Sequence, residues 1–86
     1  MTDNASKVLE AVKARQGWVN VVELAEVTGL NRQELKAAAE ELLAGHEAFA
    51  AEPEPFGHRI TKQMKELAPE IGGEQRHKFA WQSWAE

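Results

Sequence analysis

The stretch VNVVELAEVTGLNRQELKAAAEELLAG, from Val19 to Gly45, reads as a helix, a tight turn and a second helix. Asn20 is the expected cap of the first helix, with Glu23 three residues on as its capping-box partner. Leu24 and Val27 are expected to face inward. Ala25 is small enough for the second helix to cross close to the first. Thr28-Gly29 forms the turn, and Gly29 supplies the left-handed backbone that ends the helix. Asn31 then caps the second helix, with Glu34 as a second capping-box partner. Leu35, Ala38, Ala39 and Leu42 recur at helical spacing and predict its buried stripe. Gly45 ends it. Arg32, Gln33 and Lys36 are left pointing outward near its amino end.

Toward the amino terminus, the residues through Asn4 are polar and expected to fray. Asp3 or Asn4 is placed to cap a helix beginning near Ala5. Ala5, Val8, Leu9 and Val12 give that helix one apolar stripe, and Gln16-Gly17 is its expected stop. Trp18 to Val22, rich in large and β-branched residues, predicts a brief strand.

Toward the carboxyl terminus, His46 to Glu52 alternates weakly and predicts a strand closed by Pro53 and Pro55. Arg76 to Trp84 is its natural partner, with His77, Phe79 and Trp81 on one face and Lys78 and Ala80 on the other. The pair makes a hairpin with a long connection, residues 56–76. Within it Thr61 caps a short helix running to about Leu67 and stopped by Pro69. Ile60, Met64, Leu67 and Ile71 are expected to pack this insertion onto the core. Gly72-Gly73 is a turn before the last strand.

The 86 residues suffice for one small domain, residues 1–86, with the first four and last two frayed. Hydrophobic residues make up 43% and charged residues 28%, an ordinary balance for a globular chain. No apolar run reaches membrane-spanning length and no secretory signal opens the sequence, so no membrane partner and a cytoplasmic location are expected. The chain has no cysteine, which excludes disulfides, thiolate zinc sites and cysteine nucleophiles. The net charge is −4, unevenly spread. Val19 to Gly45 holds five acidic and two basic residues, a local −3. Gly57 to Lys78 holds five basic and three acidic residues, a local +2.

Helix, short strand, helix, turn, helix, hairpin is an order that resembles a winged helix-turn-helix domain, from Ala5 to about Trp81. The segment VELAEVTGLNRQELKAAAEELLAG is similar to the motif of many bacterial and archaeal transcriptional regulators. The resemblance implies an α+β, mainly α fold: a three-helix core, a short strand and a C-terminal β-hairpin carrying a long helical insertion. It also implies a small DNA-binding protein, a transcriptional regulator, with the third helix in the major groove. Arg32, Gln33 and Lys36 then reach base edges, Arg toward guanine and Gln toward adenine. Thr28 and Asn31 are placed to contact phosphate. The insertion departs from the usual short wing. Its Gly57-His58-Arg59, with Lys62 and Lys65, forms a candidate basic wing in which Arg59 and Lys62 hold phosphates, joined by Arg76 and Lys78 if the hairpin folds back. A lone acidic domain binds duplex DNA weakly, so a homodimer is expected.

An alternative is a winged helix that binds a protein, its acidic helix face meeting a basic partner within a larger complex. Trp84, in a polar tail, is a candidate anchor for it. Trp18 and Trp81 are expected to pack the short sheet against the helices. His46, His58 and His77 match no compact metal-ligand spacing, so neither metal nor cofactor is expected. Ser6 and Ser83 have no His and Asp partners, the Glu52 and Glu54 carboxylates flank prolines in a loop, and Gly72-Gly73 lacks a phosphate-loop lysine. No catalytic residue is expected, and an enzyme is not.

Overall fold

The protein is described by a computed structural model covering residues 1–82. Expectations for Ser83, Trp84 and the last two residues lie outside the described residues. The architecture is α+β: four α-helices, a three-stranded antiparallel sheet and a separate two-stranded hairpin, among the described residues.

Helix α1 (Asp3–Lys13) starts earlier than the sequence suggests. Its cap is Thr2, whose hydroxyl accepts from the Ala5 amide at 3.2 Å. Thr2 also donates its amide and hydroxyl to the Glu41 carboxylate, at 3.1 Å each. That tie draws Asp3 and Asn4, assigned above to the frayed lead-in and the cap, into the helix. The helix stops at Lys13, and Gly17, at φ 114°, turns the chain toward the sheet.

Strand β1 (Val19–Asn20) is shorter than expected, because Val21 and Val22 already belong to α2 (Val21–Thr28). Asn20 caps α2 through Oδ1, which accepts from the Val22 amide at 2.8 Å. Glu23 does not complete a capping box there; it pairs instead with Arg15 at 2.9 Å. Val27 is 67% exposed, a correction to its expected inward position. At 100° per residue it falls off the Val21–Leu24 stripe that meets the core. Gly29 ends α2 in the left-handed region, φ 73°.

Helix α3 (Arg32–Gly45) is capped as its sequence dictates, with Asn31 and Glu34 exchanging hydrogen bonds of 2.9 and 3.0 Å. Leu35, Ala38, Ala39 and Leu42 are fully buried against α1 and the sheet. Strands β2 (Phe49–Glu52) and β5 (Lys78–Trp81) pair antiparallel, Phe49 opposite Trp81 and Glu52 opposite Lys78. Strand β1 pairs with the other side of β5, giving the order β1-β5-β2. Phe79 on β5 is fully buried, and Phe49 on β2 is buried in the same core.

The connection between β2 and β5 is folded throughout. A single 3₁₀ turn (Gly57–Arg59) leads to α4 (Lys62–Leu67), capped by Thr61. Gly72-Gly73 turns a hairpin of β3 (Glu70–Ile71) and β4 (Glu74–Gln75), rather than leading directly into the last strand. Both glycines have positive φ, 64° and 84°, as a two-residue type I′ turn requires. Met64 and Ile71 are buried and Ile60 and Leu67 partly so, as their spacing implies. Helix α4 packs on α2, and β3 on α3.

Candidate nucleic-acid interface

The α2–α3 unit brings five of the sequence-selected residues together. Arg32, Gln33 and Lys36 are exposed on the first turns of α3, outside the Leu35, Ala38, Ala39 and Leu42 stripe, with Gln33 opposite it and Arg32 and Lys36 on its flank. No side-chain hydrogen bond or ion pair engages them within the described residues. Asn31 is exposed, with its carboxamide oxygen held by the Glu34 amide. Thr28 is half-buried: its hydroxyl donates to the Leu24 carbonyl at 2.7 Å and accepts from the Leu30 amide at 3.3 Å. Both side chains therefore shape the turn. The partial positive charge of the α3 amino end adds to Arg32 and Lys36. Glu40, further along and also exposed, opposes them.

Arg59 and Lys62 occupy a different segment. The Arg59 guanidinium lies 5.0 Å from the Phe56 ring centroid, and His58 tilts against the same ring at 5.9 Å. Lys62 begins α4, beside α2. Arg76 and Lys78 do not join them. The half-buried Arg76 donates to the Ile71 carbonyl from Nε and Nη2, at 3.2 and 3.1 Å, and to the Ala51 carbonyl from Nη1 at 2.8 Å. Lys78 rests 4.9 Å from the Trp18 ring centroid. Trp18 is 38% exposed and so does not pack the sheet against the helices as its size suggests. Trp81 is half-buried, between Lys13 and an edge-on His46.

The three histidines stand in three separate surroundings. His77 is only 5% exposed. Its Nδ1 accepts from the Glu54 amide at 3.0 Å, which leaves its proton on Nε2, a buried atom with no partner among the described residues. Burial lowers its pKa from the ordinary 6.5, against the opposing pull of the Glu54 carboxylate.

Sequence reading missed the exposed Phe56 with its two basic neighbours. Its spacing, aromatic–Gly–His–Arg after a proline pair, was visible, but nothing local says that the ring stays outside the core. No helix among the described residues is long and apolar enough to cross a membrane. No family model, curated protein or solved structure matches the chain.

Proposed function

We propose that this chain is a winged helix domain that binds duplex DNA through α3, in the manner of a transcriptional regulator. The carrying observation is the exposed row Arg32, Gln33 and Lys36, unengaged by side-chain hydrogen bonds or ion pairs and presented by a helix whose apolar stripe is buried. The left-handed Gly29 joining α2 to α3, and the antiparallel order β1-β5-β2 beneath them, support the same reading. Arg32 would donate twice to guanine, Gln33 would donate to and accept from adenine, and Lys36 would donate to a base edge. The net charge of −4 makes this affinity modest and sensitive to salt. A second copy would double the contacts.

The test is a mobility shift over a salt series with a mixed-sequence duplex pool. Binding should weaken steeply with salt, and the Arg32→Glu, Lys36→Glu double variant should lose roughly tenfold or more in affinity. No binding at low salt overturns the proposal.

The exposed Val27 favours a second reading, a protein-binding module. It lies near Glu26 on α2, so a partner would be basic with an apolar contact. The charge-reversed variant should keep such a partner while losing DNA.

A further inference from the structure

A groove of about 470 Å³ opens between the α1–β1 connection and the end of β5. Its walls include two indoles, Trp18 and Trp81, and two cations, Lys13 and Arg15. Gln16 and Gly17 also line it, and a Cβ at Gly17 would meet nothing within 4 Å. In a chain with 14 acidic and 10 basic residues, no acidic side chain among the described residues lines it. Small-ligand sites combine aromatic side chains with a few orienting polar groups, and the volume lies within their range.

Both cations are held loosely. The Lys13 ammonium rests on the Trp81 ring, 4.4 Å from its centroid. Arg15 pairs with Glu23 at the surface, with its side chain 54% exposed. Exposed pairs of either kind are weak and exchange readily for a better anion. A ligand carboxylate offers Arg15 two acceptors in its own plane. A flat ring attached to that carboxylate meets the two indoles at their edges or on the faces not covered by Lys13 and Lys78.

We propose that this groove binds a small planar aromatic carboxylate, its anionic group held by Lys13 and Arg15 and its ring against Trp18 and Trp81. The site is separate from the α3 row and does not depend on DNA binding.

The probe is 2-naphthoate, titrated into the full chain and followed by the amide and indole N–H resonances. Saturable shifts should centre on Gln16, Gly17 and the indoles of Trp18 and Trp81, with affinity in the roughly millimolar range of a ligand this small. The uncharged 2-naphthalenemethanol should bind about tenfold more weakly. Lys13→Gln and Arg15→Gln, both surface changes that leave the core untouched, should each weaken naphthoate and not the alcohol. Shifts elsewhere, no saturation, or equal binding of acid and alcohol overturn the proposal. So does naphthoate binding that neither variant alters.

Discussion

His77 is the residue at which sequence, burial and protonation meet most closely. It immediately precedes β5, and its backbone amide donates to the Glu52 carbonyl while its carbonyl accepts from the Val21 amide. Its ring takes the Glu54 amide, so one residue ties β2 to the start of α2. Protonation would remove the acceptor that Glu54 uses. With the folded pKa below the ordinary 6.5, the unfolded chain takes up the proton first as pH falls. The stabilisation is therefore full above 6.5 and is lost as pH falls from there through the lowered folded value. Urea midpoints measured between about pH 7.5 and 5.5 should fall with pH, and His77→Gln should flatten that fall. An equal fall in the variant assigns it to other groups.

At the scale of elements, caps and buried stripes follow directly from local sequence. The Asn31–Glu34 exchange needs only a β-conformation residue followed by one helical turn, which is why it was readable. Asn31→Ala should cost about 1 kcal/mol and leave the denaturant slope unchanged, measured by urea unfolding. The first turn of α1 was harder, because its cap depends on Glu41, 39 positions away. Trp18 and Val27 misled for a related reason. Size and apolarity speak for burial, but whether a partner surface exists is decided by how α1, α2 and β5 cross. Glu23 had a valid local partner and took a tertiary one, Arg15. The outward row Arg32, Gln33 and Lys36 follows from the buried stripe alone. The separation of Arg59 and Lys62 from it depends on where α4 docks, which no local pattern encodes. The β3–β4 hairpin was legible in principle, since a Gly-Gly pair between two short runs is a type I′ signature.

At the scale of the whole molecule, the insertion is a structural part of the domain. Gln75 Nε2 donates to the Lys65 and Ala68 carbonyls at the end of α4, at 3.0 and 3.4 Å. Arg76 joins the hairpin to β2 through Ile71 and Ala51. Arg76→Met keeps much of the apolar stem and removes all three donors. It should cost about 1–3 kcal/mol, with buried carbonyls left unpaired. Amide exchange should accelerate in α4, β3 and β4 more than in α1 and α3. A uniform acceleration would show that the insertion does not open as its own unit.

The Arg76 contact with Ala51 also covers a free border of the sheet. The carbonyls of Ala48 and Glu52 accept from Gln82 and His77, which flank β5, so alternation along the strand turns that of Ala51 away from the sheet, where the guanidinium occupies it. Pro53 follows immediately, and the opposite border, β1, is two residues long. Neither border offers a run of open backbone to an incoming strand, which guards the fold against edge-to-edge aggregation. Among the described residues, the three-stranded sheet is therefore poorly suited to recognition by strand addition.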